Sequence, residues 1–461
     1  MSTTTARFLR AASEHDVTTA QRLLEEHPEF LRESIHAAAA AGNADAVSTL
    51  LAGDAGRATA AVEPGGITPI ILAVHAALPT ALGVSEAEQL RTVQLLLDAG
   101  ASANSYVTLS HDPNARIPAL YFACVSNNVP VVRLLLQHGA TPNDGESVYH
   151  AAELNHRECL GVLLEYGAQL GHTDQQHGNT PLYFLAGSNP RSPGTPRSEL
   201  GMHWLLEHGA DPSVPSYVNE ASKGKPWYGE TPLHRVAAAG RSETLTRALL
   251  EHGAAMDATR GDGKTPYRLA YRAGHTAIAQ LLQQSGADTS GLTPMDRFVG
   301  ACMVPDERTA RAMRSEHPDL AASMNASDRQ LLVQAVETDR TESVSLMLDL
   351  GWSLAEESEW GGTPLHWAAW HGSERTARML VARGAAINVR DSQYGSSPIA
   401  WAAHGSTNSR HASDEAYARI VTMLIEAGAT PAESVNRWNE PPDSMATDMV
   451  AALLRPWLGV A

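Results

Sequence analysis

The chain is poor in aromatic residues and rich in small ones. Aromatic residues make up 5% of its 461 residues, whereas glycine alone contributes 36. Small side chains let helices approach one another closely, so this composition favours stacked short helices over a single large aromatic core. A chain of this length also exceeds one ordinary compact domain. Two or three globular domains or one elongated repeat array would fit.

Cysteine and lysine are scarce as well. The three cysteines, Cys124, Cys159 and Cys302, are widely spaced and form no Cys-x-x-Cys pair. We interpret them as small buried apolar side chains in a reducing environment. Only three lysines occur, and arginine supplies most of the positive charge. This bias indicates a GC-rich bacterial genome and carries no functional weight.

Basic charge and long apolar runs are both lacking. The formal net charge is −17, which disfavours nucleic acid because its binding proteins must neutralise phosphates. No stretch approaches the roughly 20 apolar residues of a membrane helix. Residues 1–16 lack the basic and apolar regions of a signal peptide. We therefore expect a cytoplasmic protein that binds neither nucleic acid nor membranes.

What the sequence does contain is an internal repeat. Thr231 and Thr265 lie 34 residues apart, and so do Thr363 and Ser397. Each of these residues precedes a proline within a Gly-x-Thr-Pro segment or a near copy of it. These segments occupy residues 66–69, 178–181, 229–232, 263–266, 361–364 and 395–398. A fixed spacing of this kind predicts one structural unit that is copied along the chain.

The order of residues inside a repeat predicts two short helices. Threonine can cap the first helix, and proline fits its first turn, where a missing N–H has no cost. An alanine pair then allows close packing. A leucine-rich stretch ending in Gly-Ala, as at residues 134–140 and 249–254, predicts a second helix that a left-handed glycine ends. Two such helices cannot bury their apolar faces alone, so the copies must stack.

This pattern resembles the ankyrin repeat. Residues 231–234 and 363–366 both read Thr-Pro-Leu-His, the signature of that family. Looser copies start near Ser34, Ile117, Gly145 and Asp328, and degenerate ones near Thr3 and Gly291. We count about eleven or twelve repeats of a bacterial type. The resemblance implies an all-α solenoid of stacked helix-turn-helix units with finger loops, whose concave face usually binds proteins.

A second periodicity lies above the repeat. Phe8 and His27 are 19 residues apart, as are Phe298 and His317, in segments of similar sequence. Each segment is a degenerate start that better repeats follow. We therefore predict a first block, a second block and a C-terminal capping segment at residues 1–290, 291–432 and 433–461. The alternative is one continuous array with a weak pair in its middle.

Several repeats carry extra residues in their loops. Insertions between the two helices are predicted at residues 78–88, 188–199 and 406–416, and enlarged fingers at residues 104–117 and 211–230. The last of these fingers contains Trp227 and Tyr228 beside two lysines. It is either a tolerated loop or an arm that contacts a partner.

Recognisable catalytic and metal-binding motifs are lacking. The sequence contains no nucleophile elbow, phosphate-binding glycine loop or His-Glu-x-x-His segment. Residues 172–177 offer two histidines and an aspartate, but their spacing matches no known metal site. We expect neither a metal nor a cofactor. His36, His234 and His366 occupy the histidine position of the signature, where the resemblance implies hydrogen bonds between neighbouring repeats.

The position after the alanine pair usually faces the groove. Most repeats carry ordinary residues there: His75, Val125, Glu153, Gly187, Ala238, Arg272 and Glu337. The last two full repeats instead offer Trp370, His371 and His404, with Trp360 and Tyr394 at the preceding finger tips. Exposed aromatic residues dominate binding hot spots. We therefore predict partner contacts at these five residues and at Trp227 and Tyr228.

Trp367 and Trp401 fill the apolar position before the alanine pair, and we interpret both as core residues. The sequence as a whole predicts a monomeric protein-binding scaffold or adaptor that uses its concave face and finger loops. The alternative is an enzyme or small-molecule binder with a site of His, Trp and carboxylate groups in the groove. The sequence favours binding over catalysis and leaves both open, because fold does not fix function.

Overall fold

The computed structural model describes residues 2–13, 16–62, 66–75, 77–109, 112–171, 178–187, 195–358, 360–409 and 411–458. The chain divides into two compact units, Met1–Thr265 and Pro266–Ala461. Both are built from short helices. The predicted boundaries after residues 290 and 432 stay predictions.

The first unit contains fifteen helices among its described residues. They are α1 (Thr3–Ser13), α2 (Val17–Glu26), α3 (Ile35–Ala40), α4 (Ala44–Gly53), α5 (Pro69–Val74), α6 (Ala77–Ala81), α7 (Glu86–Asp98), α8 (Ala119–Val125), α9 (Val129–Gln137), α10 (Ser147–Glu153), α11 (Arg157–Glu165), α12 (Pro181–Ala186), α13 (Thr195–Glu207), α14 (Pro232–Ala239) and α15 (Glu243–Glu251). Short 3-10 helices cover Pro28–Arg32 and Ala55–Thr59.

The second unit contains twelve helices in the part of the chain that is described. They are α16 (Pro266–Arg272), α17 (Thr276–Gln284), α18 (Pro294–Met303), α19 (Glu307–Glu316), α20 (Ala326–Arg329), α21 (Leu331–Glu337), α22 (Thr341–Asp349), α23 (Pro364–Trp370), α24 (Glu374–Ala382), α25 (Pro398–Asn408), α26 (Asp414–Glu426) and α27 (Asp448–Leu454). Pro431–Glu433, Pro442–Met445 and Arg455–Trp457 form short 3-10 helices.

The helices pair and stack in the order of the chain. In the first unit α8 packs on α10 and α10 on α12, while α7 packs on α9 and α9 on α11. In the second unit α21, α23 and α25 follow one another in the same way. Each Gly-x-Thr-Pro segment begins a helix at its proline, as predicted. The predicted all-α solenoid fold is therefore confirmed.

The core consists mainly of small and aliphatic side chains, with a few fully buried aromatic residues such as Phe298 and Tyr417. Ala368 and Ala369 are fully buried, so α23 can lie close to its neighbours. All three cysteines are buried and unpaired, as predicted. Burial raises the pKa of the Cys302 thiol to about 12, so this thiol stays protonated and unreactive at neutral pH.

The enlarged finger at residues 104–117 forms a hairpin. Strands β1 (Tyr106–Leu109) and β2 (Asp112–Pro118) pair antiparallel, with an irregularity between Thr108 and Leu109. The predicted insertion at residues 406–416 differs from a plain loop, because α25 continues through Asn408 and is 11 residues long. The corresponding helix of the preceding repeat, α23, has 7 residues.

The signature histidines connect neighbouring repeats as predicted. Nδ1 of His366 accepts a hydrogen bond from the backbone N–H of Thr363 (3.1 Å), and its Nε2–H donates to the carbonyl of Ser396 in the next repeat (3.0 Å). His234 makes the same two bonds with Thr231 and Lys264. The two contacts together require the neutral imidazole that carries its proton on Nε2.

No described helix has both the length and the apolar character that crossing a membrane requires.

Candidate functional site

An aromatic pocket lies at the C-terminal end of the second unit. Its volume is about 610 Å³. Helix α23 supplies Trp367 and Trp370, and α25 supplies Trp401 and His404. Each pair is three residues apart, a spacing that places both side chains on one face of a helix. Residues of the segment that follows the last repeat, 436–446, complete the lining.

Trp401 is the base of this aromatic pocket. It is 6% exposed, and its Nε1–H donates to Oδ2 of Asp391 at 3.0 Å. The same carboxylate accepts backbone N–H bonds from Gln393 (2.9 Å) and Ser396 (2.8 Å). One buried aspartate therefore fixes both the finger loop and the indole ring.

Three aromatic rings stand steeply against the base. The plane of Trp401 makes angles of 73° with Trp367, 75° with Trp370 and 64° with Tyr394. The corresponding centroid distances are 5.2, 6.1 and 6.1 Å. Edge-to-face arrangements of this kind are favourable between aromatic rings. These contacts fix the orientation of the three wall rings relative to Trp401.

Two further tryptophans form the rim. Trp360 is 55% exposed and Trp438 is 57% exposed. Trp438 lies 6.2 Å from Tyr394 between ring centroids, and the guanidinium of Arg437 lies 4.5 Å from the Trp438 centroid. The backbone N–H of Arg437 donates to the carbonyl of Tyr394 at 2.9 Å. The C-terminal segment is thus tied to the last finger.

Asn436 shapes the turn that carries Glu440 to the pocket. Its Oδ1 accepts the backbone N–H groups of Trp438 and Glu440, each at 3.0 Å. Its Nδ2 donates to Oε2 of Glu440 at 2.7 Å. Asn439 has a left-handed backbone conformation with φ 61°, which asparagine tolerates better than most residues. The turn therefore positions a carboxylate among the aromatic rings.

Glu440 supplies the negative charge of the pocket lining, while the guanidinium of Arg437 lies outside the lining, against the rim residue Trp438. Burial lowers the pKa of His404 below its ordinary value, and the nearby Glu440 opposes this shift only in part. His404 is therefore neutral at pH 7. Glu440 is then the one charged side chain among the described lining residues.

Four of the seven residues predicted to contact a partner line this pocket: Trp360, Trp370, Tyr394 and His404. His371 does not, because its ring lies beside that of His411, with centroids 4.7 Å apart. Trp227 and Tyr228 belong to the first unit, on the finger between α13 and α14. Trp227 is 42% exposed. Partner contacts at all seven residues stay predictions.

Sequence reasoning missed part of the lining. Trp367 and Trp401 were interpreted as core residues, and Trp401 is indeed buried, yet both face the pocket. Asn436, Trp438 and Glu440 lie in the segment that was predicted only to cap the array. The available signal was a tryptophan followed by Asn-Glu-Pro-Pro immediately after the last repeat.

A histidine also lies between two carboxylates in the first unit. His150 Nδ1 is 2.8 Å from Glu153 Oε2, and its Nε2 is 3.3 Å from Glu146 Oε2. Burial alone would lower the pKa of His150, but the hydrogen bonds that its ring donates to both carboxylates raise it to about 9. A general base needs a pKa near the working pH. This imidazolium is therefore suited to ion pairing and not to proton abstraction at pH 7.

Clusters of metal-ligating side chains are lacking among the described residues. No group of three or more His, Cys, Asp or Glu side chains within them could hold a metal ion. The predicted candidate ligands at residues 172–177 lie outside the described residues.

Gly405 sets the distance between α23 and α25. A Cβ atom at this position would lie 2.5 Å from the carbonyl oxygen of Trp370, and that oxygen already accepts a 2.9 Å bond from the hydroxyl of Tyr417. We expect Gly405→Ala to lower the free energy of unfolding by about 1–3 kcal/mol because the helices must separate. Denaturant unfolding would measure the loss.

The matched control is Gly161→Ala. Gly161 lies within α11, and a Cβ atom there would meet nothing within 4 Å. Alanine is the better helix former, so this variant should gain roughly 0.5–1 kcal/mol. If the Gly405 variant were as stable as the Gly161 variant, the close approach of α23 and α25 would have no energetic role.

Comparison with known proteins shows a protein family. The family model described as ankyrin repeats, in three copies, matches residues 82–174, 198–291 and 301–391. These segments together cover more than half of the chain.

Individual relatives match in part. The chain is 31% identical to Rabankyrin-5 of Mus musculus over 195 residues, which are 40% of this chain and 16% of that protein. It is 24% identical to the transient receptor potential cation channel subfamily A member 1 of Homo sapiens over 369 residues, 69% of this chain and 31% of that protein. The chain thus spans less than a third of either relative.

Two solved structures are similar to the chain at low identity. The ankyrin repeat domain of human ASB11 is 23% identical, covers 56% of this chain with 99% of its own, and has a TM-score of 0.39. The ankyrin repeat domain of Bcl-3 is 24% identical, covers 49% of this chain with 90% of its own, and has a TM-score of 0.38.

Proposed function

Since the chain belongs to the ankyrin-repeat family, whose domains generally mediate protein–protein interaction, we propose that it is a scaffold or adaptor that holds a partner protein at the aromatic pocket. We further propose a monomeric cytoplasmic protein of bacterial type with about eleven or twelve repeats. It binds no nucleic acid, in keeping with its net charge of −17.

The observation that carries this proposal is the convergence of six aromatic side chains in one pocket with an exposed rim. They are Trp360, Trp367, Trp370, Tyr394, Trp401 and Trp438. Tryptophan and tyrosine contribute most to interface hot spots because they bury much area and lose little conformational freedom. A partner side chain that enters the pocket would be surrounded by aromatic rings, of which Trp401 is held by its buried hydrogen bond to Asp391.

The finger at residues 211–230 is proposed as a second contact. Its Trp227 is exposed, and the ammonium of Lys225 lies 6.0 Å from the ring centroid. An exposed aromatic residue on a loop suits a peripheral contact, which usually contributes less than a buried anchor.

Catalysis in the groove is not favoured by any observation among the described residues. His150 is held as an imidazolium by Glu146 and Glu153. His404 contacts Trp370 at 5.2 Å between ring centroids, and burial keeps it neutral. These positions are explained by packing and ion pairing.

Partner capture with a double variant tests the proposal. We expect Trp360→Ala combined with Trp370→Ala to weaken binding of the partner by about tenfold or more, because hot-spot truncations cost about 2 kcal/mol or more. The tagged chain is expressed in its native host, bound proteins are identified by mass spectrometry, and affinity for the purified partner is measured by calorimetry.

Trp457→Ala is the matched control, since Trp457 is 54% exposed and lies outside the pocket lining. Trp227→Ala with Tyr228→Ala probes the finger and should have a smaller effect. A partner that binds the pocket variant and the control variant equally well would contradict docking at the aromatic pocket. Retention of a small molecule without any protein partner would favour the groove as a ligand site.

A further inference from the structure

We propose that the aromatic pocket takes a methylated lysine side chain of the partner protein, with the quaternary ammonium enclosed by the rings. This inference rests on the proposed function and names the chemistry of the group that enters. Three features carry it: the arrangement of the rings, the charge of the lining, and the hydrogen bonds already made by its polar groups.

Six aromatic residues line one space. Trp401 forms the base, and Trp367, Trp370 and Tyr394 stand at 64–75° to it. A cation within about 6 Å of an aromatic centroid is attracted by the ring quadrupole, and the attraction grows when the cation is shielded from water. A space bounded by several rings therefore selects a compact cation over an anion or a neutral polar group.

The pocket lining carries a negative charge, opposite to that of a quaternary ammonium. Glu440 supplies a carboxylate, and His404 adds no positive charge because burial keeps it neutral. Asn436 Nδ2 bonds Oε2 of Glu440, which holds this carboxylate at the pocket lining. The whole chain carries a net charge of −17, so its long-range field also draws cationic partners.

The hydrogen-bonding capacity of the lining favours methylation over a bare ammonium or guanidinium, because six of its residues are aromatic and ring faces are weak acceptors. Thr407 donates to the carbonyl of Met445 (2.8 Å), Ser444 to that of Pro441 (2.7 Å), and Asn408 to that of His404 (3.1 Å). The donor groups of these three side chains therefore already have acceptors within the chain. Unmodified lysine brings three donors and arginine five, whereas a trimethylammonium brings none and loses little on leaving water.

The dimensions also indicate a side chain of a protein and not an isolated small cation. The pocket volume of about 610 Å³ is several times larger than a trimethylammonium group needs, so the residues beside the lysine would fit as well. Trp360 and Trp438 stand at the rim, more than half exposed. There they can cover the lysine stem and the neighbouring peptide.

Four probes test the proposal with the full-length chain. They are a glycine-flanked peptide with one trimethyllysine, the same peptide with lysine, the same peptide with a neutral tert-butyl isostere of trimethyllysine, and tetramethylammonium chloride at matched ionic strength. Calorimetry and tryptophan fluorescence report binding. We expect the trimethyllysine peptide to bind at least about tenfold more tightly than each of the other three.

Two variants locate the interaction. Trp370→Ala should lower the affinity for the trimethyllysine peptide at least about tenfold, because one aromatic wall of the pocket is removed. Glu440→Gln keeps an oxygen that Asn436 can bond but removes the negative charge. This variant should therefore lower the affinity for the trimethyllysine peptide severalfold and leave the affinity for the neutral isostere unchanged. If Trp370→Ala lowers the melting temperature strongly, Trp438→Ala at the exposed rim replaces it. Trp457→Ala is the control and should bind as the unchanged chain does.

Several results would overturn the proposal. Equal affinity for the trimethyllysine peptide and its neutral isostere would show an apolar pocket that does not select charge. Equal affinity for the lysine peptide would show that binding does not require methylation. Equal affinity for tetramethylammonium would indicate a free ammonium compound as the ligand. Absence of binding to every probe would also refute it. The scaffold proposal would survive each result if the Trp360 and Trp370 variant still lost a captured protein.

Discussion

Replacement of Arg272 by alanine is expected to lower the free energy of unfolding of the second unit by about 3–5 kcal/mol. The Arg272 side chain is 5% exposed. Its Nη1 bonds Oδ1 of Asp296 at 2.7 Å, and its Nη2 bonds Oδ1 of Asp328. Removing the guanidinium leaves two buried carboxylates with less positive charge beside them, which is why so large a loss is expected.

The effect should be greatest at Asp328. Asp296 keeps Arg268, whose Nη2 lies 2.8 Å from Oδ2 of Asp296. Burial would raise the pKa of Asp296, but hydrogen bonds from Thr293 and Arg272 lower it below its ordinary value. Asp328 is 4% exposed at its side chain, and Arg272 is its ion-pair partner. Asp328→Asn added to Arg272→Ala should therefore recover part of the lost stability.

Denaturant unfolding and amide hydrogen exchange in α18 and α21 would measure the change, because repeat proteins can open locally. Arg375→Ala is the matched control. Arg375 pairs with Glu342 where the two side chains are 71% and 58% exposed, and such surface pairs contribute less than about 1 kcal/mol. Equal losses for Arg272→Ala and Arg375→Ala would show that burial adds nothing to the first pair.

Acidification from pH 6.5 towards pH 4 is expected to destabilise the fold through His234 and His366. Burial lowers the pKa of each to about 4, whereas an unfolded histidine titrates near 6.5. Between these values the unfolded chain binds more protons, so stability falls as the pH falls. Each residue should contribute roughly 2–3 kcal/mol of this loss, since one unit of pKa is about 1.4 kcal/mol.

Chemical unfolding at pH 7.5, 6.0 and 4.5 would follow this loss. His234→Gln and His366→Gln together should lower stability at pH 7.5, since two bonds between repeats are altered, yet should flatten the decline in acid. The same substitution at exposed His317 is the control. A double variant that loses as much stability in acid as the unchanged chain would show that other groups cause the decline.

The sequence predicts the helix pairs well because each one has local signals. Threonine, proline, the alanine pair and the final glycine lie within one 34-residue unit, and each acts on its own neighbours. The groove position after the alanine pair likewise identified Trp370 and His404. Local periodicity is sufficient to predict helices and groove positions wherever one repeat resembles the next.

The features that the sequence does not predict depend on contacts between residues far apart in the chain. Arg272 looked like an ordinary groove residue, although Asp296 and Asp328 lie 24 and 56 residues further on and bury it in ion pairs. The turn from Asn436 to Glu440 has no repeat to align with, and its local signal, a tryptophan followed by Asn-Glu-Pro-Pro, does not indicate which residues the turn contacts. His371 lies outside the pocket lining for a related reason, since His411, after α25, lies against it.

The aromatic pocket has a consequence for how this gene can change. Repeat arrays grow and shrink by duplication or loss of whole units, and most such events preserve the stacking of helices. Here the walls come from two successive repeats and the rim from the unrepeated turn at Asn436 to Glu440. A unit gained between α23 and α25 would separate Trp370 from Trp401 while every helix still had a neighbour. Gain or loss of a unit at this end of the array would therefore dismantle the pocket without unstacking the helices.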